Sequence, residues 1–455
     1  MNKEQLIAAA KKAGVVGAGG AGFPTAVKLN ANPEYIVING AECEPLLKVD
    51  QSLAEASSES LIEGLNLLVE TLGAKEGIFA LKAKYYGAVK ALNKAAENFP
   101  TISIKSLGNY YPLGDEQILI YEVLGRIVAE GGLPLGRGAI VVNVESLMNL
   151  RAAAIDDRAV VEKYLTVTGE INKPATYKVP VGLSVREIIE ASGGAKIKDL
   201  AVINGGPMMG SLIEDLNSPI TKTTKGLIVL DRSHPLISSK SRSLTQMMRQ
   251  ARTACCHCYY CTDLCPRYLL GHRLYPDKVM RLSSYATMGE KGDSEFIGTE
   301  ANPGPSQVFL CCECGLCELV CVMGLQPWRL NRELKARLGP EAAKAFKKLE
   351  PQKVNPFREF RRYPIPKLIN KLGLESYDKL SAPLTDYPSQ AKKVTLLLKQ
   401  SLGTPSIAQV KLGDRVKKGE VVATPPQGSL GSIIHSSIDG KVEQVLSDRI
   451  VVTAD

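Results

Sequence analysis

"ACCHCYYCTDLCP", residues 254–266, crowds five cysteines together, and "CCECGLCELVC", residues 311–321, does so again further along. Of the eleven cysteines in the 455-residue chain, only Cys43 lies outside these two runs. Setting aside Cys256 and Cys312 leaves one rule in both, C-x2-C-x2-C-x3-C. It falls at Cys255, Cys258, Cys261 and Cys265, then at Cys311, Cys314, Cys317 and Cys321, with a proline, Pro266, after the first set only. The N-terminal "MNKEQLIAAAKKAG" reads as an amphipathic helix capped by Asn2 with Gln5 three residues on, and lacks the apolar run and cleavage site of a secretory leader. The expected compartment is therefore the cytoplasm, where clustered thiols bind metal more readily than they pair with each other.

This spacing is that of bacterial two-cluster ferredoxins, in which three thiolates of a run wrap one [4Fe–4S] cube and the fourth reaches the other. The expected ligand sets cross: Cys255, Cys258, Cys261 and Cys321 for one cluster, and Cys311, Cys314, Cys317 and Cys265 for the second. Zinc usually takes two C-x2-C pairs and has no use for the regular triple. Cys256, Cys312, His257 and His272 are expected as neighbours rather than ligands. Two such clusters carry single electrons, so a donor of electrons is expected elsewhere in the chain.

The glycine-rich "GVVGAGGAGFPTAVKL", residues 14–29, is the candidate. Glycines let backbone N–H groups approach a phosphate or a flat ring closely. After it comes the apolar "YIVINGAECEP", whose Glu42 and Glu44 stand where a strand ends and a ribose hydroxyl would be met. Strand-like "GIFALKA", "TISIKSL" and "GAIVVNVES" then alternate with helix-like segments, which predicts an α/β domain with a mainly parallel sheet. Its strand ends gather Asn39, Glu42, Gly114, Asp115, Glu116, Asn143 and Glu145 at one edge, where such sheets bind ligands.

"GAGGAGFPTAVK", "NGAECEP", "GDE" and "VNVES" resemble, in that order, the flavin- and NADH-binding loops of the complex I flavoprotein subunit, and more closely those of the Rnf-complex C subunit and its relatives. The resemblance implies FMN held by Gly17, Gly19, Gly20, Gly22 and Lys28, with Asn39, Glu42, Gly114, Asp115, Glu116, Asn143 and Ser146 completing the site. It places Phe23 and Glu44 towards NADH. Complex I carries an arginine where this chain has Ala18, a departure that bears on nucleotide affinity.

Downstream, "YLTVTGEINKPATYKVPVGLSVREIIEASGG" and the strands after it are similar to the β-grasp soluble-ligand-binding (SLBB) module of the same superfamily, with Met208 and Met209 in a packed turn. The tail resembles the barrel-sandwich fold of lipoyl and biotinyl carriers. Its hairpin tip, however, reads Ser436-Ser437-Ile438-Asp439-Gly440 and offers no lysine for a prosthetic group; His435 beside it is expected to be structural. The expected fold is thus multidomain α/β: a Rossmann-like flavin domain (1–160), a β-grasp SLBB module (161–235), a helical two-cluster ferredoxin-like domain (240–338), a proline-rich linker (339–390) and an all-β barrel-sandwich domain (391–455).

A flavin loop at the start and a barrel at the end is the domain order of the propanediol-utilisation corrinoid reductases, which "CTDLCPRYLLGH" also resembles. That resemblance implies an NADH-dependent oxidoreductase passing single electrons through FMN and two [4Fe–4S] clusters to a corrinoid substrate. Its partners would be a B12-dependent enzyme system and microcompartment proteins, and its place the cytoplasm or a bacterial microcompartment within it. Two alternatives stay open: an Rnf-type electron-input subunit, and a non-catalytic relay or scaffold. The net charge of +9 is concentrated between Arg329 and Lys371. Aromatic residues there are too few for the stacking that single-stranded nucleic acid requires, and no nucleic-acid partner is expected. No apolar run is long enough for a transmembrane segment.

Overall fold

The computed structural model describes residues 1–285, 304–351 and 353–454. Four apolar segments form a parallel sheet: β1 (Tyr35–Gly40), β2 (Glu76–Lys82), β3 (Ile102–Leu107) and, past the short β4 (Tyr110–Tyr111), β5 (Ala139–Asn143). Their order is β3-β2-β1-β5. Successive connections run outward from β1 on one side, and the chain then returns to place β5 on the other. The carboxyl ends of β1 and β5 therefore flank a topological switch point, where open α/β sheets bind ligands. Asn39 and Asn143 are register partners there. One face of the sheet packs on the helices Lys3–Lys12, Ser58–Leu72 and Val144–Ile155 through Leu6, Ile36, Leu65, Phe79 and Leu147; the other buries Val37, Ile78, Leu119 and Val141.

The next unit is a six-stranded sheet with β6 (Glu162–Gly169) and β7 (Ala175–Pro180) as a hairpin, then β8 (Leu200–Asn204), β9 (Ser211–Ile213) and β10 (Gly226–Asp231). β10 lies parallel to β6 and antiparallel to β8. The capping box of Ser184 and Glu187 starts the helix Val185–Ala191 packed on it. Two small antiparallel sheets form the C-terminal sandwich, and its Val394, Leu396, Val422 and Val452 share one core with Leu165, Val167 and Leu227 of the second unit.

The stretch expected as a linker carries structure of its own. Helix Pro327–Ala345 kinks at Gly339, ahead of Pro340. β11 (Tyr363–Pro364) pairs with β4, and β12 (Leu384–Asp386) joins the edge of the second sheet beside β7. This segment straps the cluster region to both domains that precede it. Among the described residues no helix is long and apolar enough to cross a membrane.

Candidate functional site

The glycine loop closes on itself before it meets anything else. Gly17 N–H donates to the Phe23 carbonyl at 2.9 Å and Gly22 N–H to the Gly17 carbonyl at 3.2 Å. Ser146 fastens it from below: its hydroxyl accepts from Ala18 N–H at 2.8 Å and donates to the Val16 carbonyl at 3.2 Å. Gly20, with φ of +113°, has open space where a side chain would stand, while Gly19 faces Asn143. Asn143 caps the helix Val144–Ile155, accepting from Glu145 N–H, and donates to Asp50. Asn39 donates to the Gly114 carbonyl at 2.9 Å, joining the strand end to the "GDE" turn. Lys28 reaches Glu116 at 2.7 Å and lies 6.0 Å from the centre of the Phe23 ring. The structure thus brings the glycine loop, Phe23, Lys28, Asn39, Gly114, Glu116 and Asn143 to one side of the switch point.

The remaining acids are spoken for. Glu42 is buried and shares Lys225 with Asp50, at 3.1 and 2.5 Å. Burial, then Asp50, raises the Glu42 pKa, which Lys225 and the Asp50 N–H draw back. Beside it Glu145 and Lys163 form a fully buried pair; burial pushes the acid up and the amine down, and each partner opposes that shift. Glu44 accepts from the backbone N–H groups of Met208 and Met209 at 2.9 and 2.7 Å, so the Met-Met turn is packed against a carboxylate. Asp115 caps the helix Glu116–Leu124 and pairs with Arg267 of the cluster region at 2.7 Å. Asp50, Lys225 and Arg267 carried no signal in the sequence, since nothing local marks a charge that tertiary packing will bury.

The two cysteine runs fold alike. Positive φ recurs at the same offsets, His257 (+55°) and Tyr259 (+72°) in the first loop, Glu313 (+58°) and Gly315 (+78°) in the second. Three of these are not glycine, and holding them there costs energy that the surroundings must supply. The repeat aligns Cys255 with Cys311, Cys258 with Cys314 and Cys261 with Cys317. Burial, then the charges of Asp277, Cys321, Cys258 and Cys255, pushes the Cys261 thiol up to about 12, so Cys261 lies near all three of those sulfurs. Cys265, Cys311, Cys314 and Cys317 line a second cavity with Cys312, Arg267, Trp328 and Asn331. Burial, then Cys311, Cys261 and Cys265, raises the Cys317 thiol well above its ordinary value. Among the described residues no three His, Cys, Asp or Glu side chains converge as a single metal ion needs. The second set of sulfurs instead lines a cavity, and the all-thiol donor sets fit [4Fe–4S] clusters. His257 is exposed, and His272 donates from Nε2 to the Val128 carbonyl, 2.9 Å away.

The two sets sit at different depths. Cys265, Cys314 and Cys317 are buried. Their loop touches both neighbouring domains: Tyr111 Oη donates to the Cys314 carbonyl at 2.5 Å, and a side chain at Gly315 would meet Met208. The other loop faces outward, with Cys258 exposed beside Tyr259, Tyr260, Val322 and Met323.

Known proteins match this arrangement along the chain. Residues 10–152 match the Nuo51 FMN-binding domain, 164–211 the SLBB domain, 254–326 a 4Fe-4S dicluster domain and 379–454 the RnfC barrel sandwich hybrid domain. Cobalamin reductase PduS of Salmonella typhimurium is 40% identical over 99% of this chain and 97% of its own length, and that of Citrobacter freundii 41% over 97% and 95%. The chain belongs to the cobalamin reductase PduS family. The C subunit of the Na(+)-translocating ferredoxin:NAD(+) oxidoreductase complex of Acetobacterium woodii is 34% identical over 56% of each chain, a kinship confined to part of the sequence. A chain of a NAD+-reducing [NiFe]-hydrogenase in the H2-reduced state aligns over 76% of this chain and 63% of its own, at 22% identity and a TM-score of 0.48, too loose to argue from. With an FMN-binding and a dicluster domain in one chain, this member of the family is an iron–sulfur flavoprotein oxidoreductase.

Proposed function

We propose that the chain oxidises NADH and delivers the electrons singly to a corrinoid, as the name of its full-length relatives suggests. When bound, FMN supplies the conversion of an electron pair into single electrons, and the clusters supply conduction. Gly17, Gly19, Gly20, Gly22, Lys28, Asn39, Gly114, Glu116, Asn143 and Ser146 hold or frame the flavin, and Phe23 stands on its nucleotide side. Glu42, Glu44 and Asp115 act from behind this layer by fixing loops, since their carboxylates already have partners. Cys255, Cys258, Cys261 and Cys321 hold one cluster; Cys265, Cys311, Cys314 and Cys317 hold the other.

One observation carries the reading: the buried cysteine set lies against the flavin domain and the second set at the surface. The protein thereby orders its redox sites from inside to outside, and the acceptor meets the outer one. We further place the protein beside a B12-dependent enzyme in a bacterial microcompartment, which fractionation of intact compartments tests. The functional test is anaerobic purification with quantification of iron, sulfide and flavin, followed by NADH oxidation with free corrinoid as sole acceptor. Corrinoid reduction by the isolated chain supports the proposal. Activity with artificial dyes but none with corrinoid would favour an electron-input subunit, the role that the name of the Acetobacterium relative describes.

A further inference from the structure

The inner cysteine cavity has two walls that thiolate ligation leaves unexplained. Arg267 is 8% exposed and Asn331 fully buried, and both line it. Arg267 Nη2 donates to Asp115 Oδ2 at 2.7 Å. Its Nε and Nη1 are buried with no oxygen or nitrogen to accept from them; the guanidinium instead hydrogen-bonds the Cys312 sulfur and faces that of Cys265. Asn331 likewise buries its amide without an oxygen or nitrogen partner, and its side chain hydrogen-bonds the Cys311 sulfur. Buried donors left unpaired are costly, and an arginine, always charged and without an acceptor site, is the costliest kind. Here the two donors turn to cysteine sulfurs around one small cavity, an arrangement that suits negative charge within it. An iron–sulfur cluster held by four thiolates is such an acceptor, and its potential responds to net charge and to hydrogen bonds at the sulfurs.

We infer that Arg267 and Asn331 are positioning residues of the inner cluster that raise its reduction potential, and that the Arg267–Asp115 pair couples this setting to the flavin loop. The extra negative charge of the reduced state is stabilised more than the oxidised state by a fixed cation and an amide donor. The outer loop is instead open to solvent at Tyr259 and Tyr260. The inference rests on the cluster assignment proposed above.

The test is a redox titration of the anaerobically purified holoprotein, followed by electron paramagnetic resonance, for wild type, Arg267→Gln, Arg267→Lys and Asn331→Leu. The Cys258→Ser variant identifies which signal belongs to the outer cluster. Arg267→Gln and Asn331→Leu are each expected to retain both clusters and to lower the inner midpoint so that the oxidised-to-reduced ratio at fixed potential rises about tenfold, about 59 mV for a one-electron couple. Arg267→Lys should keep most of the wild-type value. An unchanged inner midpoint in a variant with full iron content, or equal shifts of both centres, would overturn the inference. If Arg267→Gln loses its iron, the Asn331→Leu titration decides. Wild-type protein lacking two reducible centres would instead overturn the cluster assignment itself.

Discussion

Cys261 shows how one side chain serves a constellation larger than its own loop. Its sulfur is grouped with Cys255 and Cys258 from the same run and Cys321 from the other. Replacing it with alanine removes a ligand from the outer set and also the tie between the two loops. Cys261→Ala is expected to lose the outer cluster and to weaken retention of the inner one; iron and sulfide per chain report this, and a wild-type iron content would contradict the assignment. The adjacent surplus cysteines behave differently. Cys256 points to solvent, and Cys312 lies beside Arg267. Each follows the first cysteine of its C-x2-C-x2-C-x3-C run by one residue, so setting both aside reveals the same spacing twice.

At the level of elements, the turn Gly206–Gly210 between β8 and β9 depends on a carboxylate from the flavin domain. Glu44 takes the N–H groups of Met208 and Met209, and Gly206 lies so close that any side chain there would strike it. Glu44→Ala strands the part-buried Met208 donor, at a cost of about 1–3 kcal/mol for a buried group left unsatisfied, while water reaches the exposed Met209 donor. A lowered thermal midpoint, with Glu44→Gln falling between the two, is the expected outcome; an unchanged midpoint would show that water replaces the carboxylate. Such contacts mark the boundary of what the sequence discloses. The cysteine spacing, the glycine loop and the alternation of strands and helices are local patterns, and they located β1, β2, β3 and β5 and the edge where Asn39 and Asn143 meet. Glu42 and Glu44 were legible as acids after a strand end, whereas their partners Lys225 and the Met208–Met209 turn, distant in sequence, were not. The proline-rich stretch read as a linker for a similar reason: two-residue and three-residue strands such as β11 and β12 have no periodicity to detect.

For the molecule as a whole, the join between flavin domain and cluster region is sensitive to acid. His272, 2% exposed, meets the Val128 carbonyl, and Arg273 next to it is paired with the buried Glu130. Burial, then the Arg267 charge, lowers the His272 pKa from 6.5 to about 4, against the pull of the Val128 carbonyl, Glu130 and Asp115. The unfolded chain therefore binds this proton first as pH falls. The stability held above 6.5 is lost progressively towards about 4, by about 3 kcal/mol at most, taking about 1.4 kcal/mol per pH unit of difference. Thermal midpoints measured from pH 7 to 4.5 should fall less steeply for His272→Gln, which keeps a donor for Val128 but no titrating ring. Parallel acid limbs in the two proteins would show that the imidazole does not titrate in the join.

The ends of the chain close the flavin loop together. Leu402 N–H donates to the Gly22 carbonyl at 2.9 Å, and Lys222 and Ser432 converge on the carbonyl of Gly14, the latter from 418 positions away. A polypeptide is made from its amino terminus, and its domains fold as they emerge. The glycine loop, made well before the barrel, thus acquires its full surroundings late. The bonds to Gly22 and Gly14 therefore form only after residues around 402 and 432 have been made, and a chain lacking the barrel lacks them.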